Sequence, residues 1–593
     1  MDRTSELLDR AAPVLCGTVV VTALLVVASR DYPAVGADFA YYIARLLDTD
    51  LYLRINGLVI QWYTPSFGGG LPAFPNPQHL QYSLLQALLY VTGPWTAVLL
   101  ATAIVCALGY TACYRFLSRT LGFARIPSAL AGVFFIGNGF YIQHLVVGHV
   151  GFQLFPLSGV VLHVLANRTR TVLANACLTA LCVAMIAYQA GFYLMFIVAG
   201  TLVVCAEVVY LLDRRRIDWT RAARAGAVAV PLSIAMAAPK ILAMQALMGR
   251  FPREMADTYP VGVLHGLVGF AAQLAGGMTM IPAMIAVGLP AQKLDGALIK
   301  LTGSSFHLWE LDTGLSPVLA AVLLIGLIRF AISARTRGLP PVPPGTAPML
   351  IALGVTVWLV IEATLAKGFV YPVLRQLPVL RSMHVNSRFA AIFILPLTIV
   401  GAALLHRWYG KRPPATQVAA VLCVALASPF IYLALPHGTY LWYFDLTQSV
   451  RDHERIRHGE RFPVTRIDDI YDFQTFSTQS SSLHPYEPMF GYFLETFAPS
   501  TRVGGIYQEQ DGRLNMTNPA SFVFPELNGL QPFDRIRAVD RPELERFAAR
   551  HQQDWRIPPA FRWLNLVAIA ALAACVGIPV AGAIRRSSRR RRP

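Results

Sequence analysis

Two acids near the start of the chain, Asp31 and Asp38, have the type and the position to act as a general base. Asp38 closes the run Gly36-Ala37-Asp38 just after the first long apolar stretch. A carboxylate at the mouth of a helix bundle can take a proton from an alcohol when it lies within hydrogen-bond reach and is partly shielded from water. Solvated loop residues or helix caps are the commoner fate of such acids. The residues that follow are unusual: Tyr41 and Tyr42, then Trp62-Tyr63-Thr64-Pro65-Ser66-Phe67-Gly68-Gly69-Gly70-Leu71-Pro72, then Asn76-Pro77-Gln78. Three glycines between prolines specify a shaped loop rather than a regular element.

A second group of residues is cationic. Lys367, Arg375, Arg381 and Arg388 follow one another with no acid between them, and His384 and Asn386 stand among them. The planar guanidinium fork suits phosphate oxygens. A lipid-linked phosphate and an ordinary phospholipid headgroup both fit such a set. Gln143, His144 and His149 cluster where the third and fourth apolar runs meet, as satisfied loop residues or as part of a substrate cavity. Glu254 and Asp257 open the next long polar loop and Glu310 and Asp312 close it. A capping or solvated role is the commoner one for each of these acids, with a place facing the cavity as the alternative. Lys240 and Glu362 fall within or at the ends of apolar runs, where an ionisable group is costly. Lys240 is close enough to its end to snorkel.

These residues must be positioned by membrane helices. The chain has 593 residues, 55% hydrophobic and 14% charged, against roughly 25% charged in an average soluble protein. Its mean hydropathy is +0.50. Apolar runs near residues 13–29, 95–116, 127–147, 150–166, 172–188, 191–212, 225–246, 314–334, 347–366, 389–406, 416–436 and 563–584 read as about twelve transmembrane helices. With both termini inside, the short arginine-rich segments between them all fall on the cytoplasmic face, as the positive-inside bias requires. Most of the net charge of +17 is therefore topology, and nucleic acid is a poor partner. The Gly- and Pro-containing stretch 261–289 suits a re-entrant or surface-lying hairpin better than a further crossing.

The expected organisation is a membrane domain over residues 1–436, with outer loops at 30–82, 249–313 and 367–388. A small mixed α/β domain follows at 437–562, outside the cytoplasm, then a final helix and basic tail at 563–593. The 437–562 segment holds about half of the chain's 33 acidic residues and no lysine. The eight cysteines all lie in or beside apolar runs and read as small packing residues. No pair has zinc-site spacing, and no Walker, Rossmann, H-E-x-x-H or G-x-S-x-G pattern is present.

In the order and placement of these motifs the chain resembles the GT-C superfamily of polytopic glycosyltransferases, nearer its bacterial YfhO-like branch than the oligosaccharyltransferases. The resemblance covers most of the membrane part. It rests on Asp38, the Trp62–Pro72 loop with Asn76-Pro77, Gly148-His149, the run from Arg381 through Arg388-Phe389, and Asn518-Pro519-Ala520 with Pro525-Glu526-Leu527-Asn528. It implies a GT-C-like fold and a polyprenyl-phosphate sugar donor entering from the bilayer. The acceptor would be a glycan, lipid or protein met at the outer face of a bacterial inner membrane, with residues 437–562 in the periplasm. Asp38 would be the base, with Asp31 the nearest other acid. Arg381 and Arg388, with Arg375, would hold the phosphate. Gln143, His144, His149, Trp62, Tyr63, His384, Asn386, Glu254 and Asp257 would line the cavity. Many members carry a second acid beside the first; here Phe39 follows Asp38, so no cofactor and no metal are expected. The rival readings are a lipid or polysaccharide transporter and a non-catalytic assembly protein docking partners through residues 437–562.

Overall fold

The computed structural model describes residues 3–251, 263–303, 306–338, 345–381, 383, 385–435, 443–460, 465–467, 481–482 and 501–590. Glu254, Asp257 and His384 lie outside the described residues. Among the described residues eleven helices are long and apolar enough to cross a bilayer, and the chain is a multi-pass membrane protein. Ten of them match runs read from hydropathy. Two other runs, Val150–Ala166 and Val172–Tyr188, form shorter apolar helices, the first because it opens as a 3-10 turn over Val150–Leu154.

The eleventh long helix is the stretch expected to form a hairpin. Val263–Ala286 is two helical pieces joined at Gly276, whose φ of 53° and ψ of −170° break the helix. A Cβ at this position would collide with the Asp312 carboxylate and the Gly314 backbone. The break exposes backbone groups that lipid cannot satisfy. Residues 312–315 satisfy them: Leu315 N–H donates to Leu274 O at 2.9 Å, Thr313 N–H to Gln273 O at 3.1 Å, and Gly277 N–H to Asp312 Oδ2 at 3.1 Å.

Small residues let the helices approach closely. Val172–Tyr188, Trp219–Arg250 and the last helix, Ala560–Arg590, pack on one another. Their shared seam is Ala176, Cys177, Ala180, Ala184, Ala229, Met236 and Cys575, the composition that membrane helix interfaces favour. All eight cysteines are unbridged and all but Cys423 are buried.

The first loop and the described residues of 443–559 form one body. Ala34–Gly36 pairs antiparallel with Tyr443–Asp445. The helix Asp38–Asn56 is buried from Phe39 to Leu53, and its core includes Phe444, Leu514, Met516, Phe522 and Phe547 from the distant segment. Tyr63–Thr64 and Leu71–Pro72 make a two-rung hairpin. Gly68, Gly69 and Gly70 form its turn, all with positive φ. At Gly70 a Cβ would lie 2.7 Å from Thr517 O, while Thr517 N–H donates to Gly69 O at 2.9 Å. The glycines are there so that two backbones can touch.

A buried charge locks this seam. Arg550 Nε donates to Asp48 Oδ1 at 2.8 Å and Arg550 Nη2 to Ser66 Oγ at 3.0 Å. Asp48 also accepts from Ser66 at 2.5 Å, Thr64 at 2.7 Å and Gln61 at 2.8 Å. Burial pushes the Asp48 carboxyl up, but Arg550 and the two hydroxyls outweigh it and hold the group below the usual carboxylate range. Two residues on, Asp50 takes His453 Nε2 at 2.9 Å and Arg54 Nε at 2.8 Å. Lys240 is fully buried and donates to the carbonyls of Phe74, Asn76 and His79 at 2.8, 2.6 and 3.2 Å. It does not snorkel; it staples the first loop to the helix Trp219–Arg250.

Arg550→Ala should therefore destabilise the protein by about 3–5 kcal/mol, because it leaves Asp48 buried and unpaired. The checks are the thermal midpoint in detergent and proteolysis within residues 501–559. Arg541→Ala, which removes an exposed pair with Glu545, should cost no more than about 1 kcal/mol. The Asp48 contribution is present above the unfolded carboxyl's pKa of about 4 and is lost as pH falls below it. The gap between wild type and Asp48→Asn should narrow in that acid range.

Candidate active site

His144 and His149 meet because a helix ends between them. The helix Gly139–Val147 is capped by Asn138, whose side chain accepts from Tyr141 N–H at 2.9 Å. It stops at Gly148, which has φ of 100°. His149 N–H then turns back to His144 O at 2.9 Å, and the two imidazoles lie 4.9 Å apart, centroid to centroid. A glycine is required at the stop for a second reason: a Cβ on Gly148 would sit 2.6 Å from Phe39 N. That close approach sets the start of the helix Asp38–Asn56 against the turn. Asp38, in its first turn, puts Oδ2 at 2.6 Å from His149 Nε2.

Glu310 comes from a one-turn helix, Leu308–Leu311, that packs on Gly139–Val147. Its carboxylate is buried and accepts from Arg388 through Nε at 2.7 Å and through Nη2. It also lies 3.6 Å from His144 Nε2 and 3.9 Å from His149 Nε2. Burial would raise the Glu310 carboxyl, but Arg388 and His149 outweigh it and bring it down to about 2. Arg388 sits at the start of the helical run Asn386–Tyr409. Its guanidinium carbon lies 4.9 Å over the Phe152 ring and 5.3 Å over the Tyr193 ring, and it feels the charge of Asp38. Two acids, two imidazoles and a guanidinium thus form one cluster, the wall of the candidate site. Asp38 keeps 28% side-chain exposure and His149 12%, so the wall is open at the Asp38 end and closed at Glu310.

The other expected site residues go elsewhere. Asp31 accepts from the Tyr443 hydroxyl at 3.1 Å and lies 3.8 Å from Arg30 Nε, beside the two-stranded joint. Trp62 stacks edge-on with Phe74, Phe524 and Phe561, and Tyr63 with Trp555, so both belong to the seam with the distant segment. Gln143 lies beside Asp312, which accepts from the Tyr432 hydroxyl at 2.6 Å; burial pushes that carboxyl up to about 6. Asn386 donates to Ala363 O at 3.0 Å and to the Tyr371 hydroxyl at 3.1 Å. Arg375 Nη1 donates to the same hydroxyl at 3.0 Å, and Arg381 is exposed. Glu362 accepts from the N–H groups of Phe369, Val370 and Tyr371 at 3.1, 2.7 and 3.0 Å, so it caps the turn that carries these arginines.

Spacing along the chain hid one property of the wall. Ligand-capable atoms of His144, His149 and Glu310 all lie within 4.8 Å of one another, although the sequence has no metal-ligand pattern. Glu310 is the participant that sequence reasoning undervalued. Its one signal was an acid inside the apolar run Leu308-Trp309-Glu310-Leu311.

No family model matches the chain, and no curated protein matches it. Similar solved structures include the arabinofuranosyltransferase AftD from Mycobacteria, 16% identical with a TM-score of 0.45 over 80% of this chain and 31% of that one. Another is ArnT from Cupriavidus metallidurans bound to undecaprenyl phosphate, 12% identical with a TM-score of 0.38 over 82% of this chain and 88% of that one. The chain spans about a third of the AftD chain. Both are GT-C glycosyltransferases, the superfamily that the sequence resembles, and they say nothing of the YfhO-like branch. With TM-scores below 0.5, the likeness carries no weight as to activity.

The Glu310–Arg388 pair generates a prediction of its own. Glu310→Ala should cost about 3–5 kcal/mol by leaving a guanidinium buried without its partner. The double variant Glu310→Leu/Arg388→Met should recover most of that stability while abolishing whatever the wall does. Thermal denaturation of the three variants in one detergent checks both statements.

Proposed function

We propose that the chain is a membrane glycosyltransferase. It would move a sugar from a polyprenyl-phosphate donor to a hydroxyl of a cell-envelope glycan, lipid or protein at the outer face of a bacterial inner membrane. Both termini would then be cytoplasmic and residues 437–562 periplasmic. The observation that carries the reading is Asp38, partly exposed, 2.6 Å from His149 Nε2 and within the field of Arg388. A base at the exposed end of the cluster and a cation behind it are what transfer from a phosphate leaving group requires.

In this mechanism Asp38 takes the proton of the acceptor hydroxyl, and His149 holds the carboxylate in place. The hydroxyl oxygen attacks the anomeric carbon from the face opposite the phosphate. The bond from that carbon to the phosphate oxygen breaks, its electron pair leaves with the phosphate, and the configuration inverts. Negative charge grows on the leaving phosphate, where a cation fixed in advance stabilises the transition state most. Glu310 uses the Nε and Nη2 edge of Arg388, which leaves the Nη1 hydrogens for a phosphate oxygen. Arg375 and Arg381 supply further positive charge where a lipid phosphate would approach. Asp31, tied to Tyr443, is the weaker choice of base. A docking or transport role would not call for a base and a cation in the same cluster.

The test is transfer in membranes supplied with a panel of polyprenyl-phosphate sugars. Asp38→Asn should lose about 10²–10⁴-fold in rate while it still binds donor, and Asp31→Asn should retain transfer. Full transfer by Asp38→Asn would remove Asp38 from the role of base. No transfer by the wild type with any donor would count against the reaction itself.

A further inference from the structure

We propose that His144, His149 and Glu310 bind a divalent transition-metal cation of the zinc class, with an open coordination position beside Asp38. The argument begins with a tautomer. His144 Nδ1 lies 2.9 Å from Phe140 O, which can only accept, so Nδ1 carries the hydrogen. A neutral ring then presents Nε2 as a bare lone pair. That nitrogen is buried and has no hydrogen-bond partner among the described residues. What it faces, at 3.6 Å, is a Glu310 carboxylate oxygen, which is also an acceptor. Two acceptors in a dry wall repel unless something positive lies between them.

A zinc-class ion meets that need at the spacing observed. Zinc binds imidazole nitrogen and carboxylate oxygen at about 2.0–2.2 Å, so two tetrahedral ligand atoms lie about 3.3 Å apart. The three residues bring their ligand atoms within 4.8 Å of one another, a set that side-chain rotations drawing the atoms together by up to roughly 1.5 Å would close. The surrounding contacts are those of a metal site. A ligating histidine donates its other ring hydrogen to a backbone carbonyl or carboxylate, as His144 does to Phe140. Glu310 is oriented by Arg388, and each of its oxygens keeps a second lone pair. Two imidazoles with one carboxylate favour zinc over calcium or magnesium, which prefer oxygen ligands.

Binding would change the charge of the wall in a useful direction. Glu310 and Asp38 carry two negative charges and Arg388 one positive, so a dication leaves a net single positive charge. An acceptor hydroxyl in the open position would become more acidic, with Asp38 adjacent to take its proton. This consequence rests on the glycosyl transfer proposed above; the binding does not.

The test uses full-length protein in nanodiscs, stripped with chelator, dialysed against zinc and assayed for metal content. The wild type should hold about one zinc per chain and His144→Gln almost none. His307→Gln, which removes a histidine paired with Asp295 outside the cluster, should behave as the wild type. Equal zinc in wild type and His144→Gln, or none in the wild type, would overturn the proposal. If His144→Gln aggregates, cobalt substitution of the wild type decides. The intense visible bands of four-coordinate cobalt are expected, and a weak octahedral spectrum would overturn the site. No arm reads glycosyl transfer, so failure of the metal proposal and failure of the reaction are separable.

Discussion

Glu310 is a carboxylate removed from water, and that one fact constrains everything around it. A buried anion must be paired and hydrogen-bonded or it neutralises. Here Arg388 pairs with it through two donors, and two histidines crowd the same oxygens. Arg388 in turn can be accommodated only because Phe152 and Tyr193 offer it ring faces. The residues come from the one-turn helix Leu308–Leu311, the turn at Gly148, the helix Phe192–Asp213 and the start of the run to Tyr409. Moving any of them exposes or strands a charge. The wall is therefore held in shape before any substrate arrives, which is what electrostatic catalysis needs.

Asp38 belongs to a different set of supports. It reaches the wall because Gly148 admits the start of its helix, and that helix is anchored at Asp48 and Asp50 by residues from the far end of the chain. Arg550 and His453 supply those anchors, and Lys240 fixes the loop from the membrane side. The segment beyond residue 443 is thus a structural partner of the first loop. Its described part contributes to one hydrophobic core with Asp38–Asn56. That arrangement links the geometry of the candidate base to a salt bridge 502 residues apart in sequence.

Much of the membrane architecture was legible because lipid imposes length and apolarity on each span. Ten runs read from hydropathy reappear as long helices. The Gly68–Gly70 turn was legible as a shaped loop, though not as the place where a second backbone lands. The pairings of isolated ionisable residues were not legible. Lys240 looked costly in its apolar run unless it snorkelled, yet three carbonyls more than 160 residues away account for it. Glu362 looked costly for the same reason and proves to cap a turn within nine residues. Glu310 was undervalued because nothing local shows that Arg388 will meet it 78 residues later. Single-residue reasoning sees the cost of burial but not the partner that offsets it.

The central claim is that a lipid phosphate is received at the wall of Asp38, His149 and Arg388. Cryo-electron microscopy of the full chain in nanodiscs containing undecaprenyl phosphate tests it most directly. The account predicts phosphate density in contact with Arg388 and adjacent to Asp38, with the Glu310–Arg388 pair intact. Ordered phosphate density at a position remote from Asp38, with that wall unchanged, would contradict it.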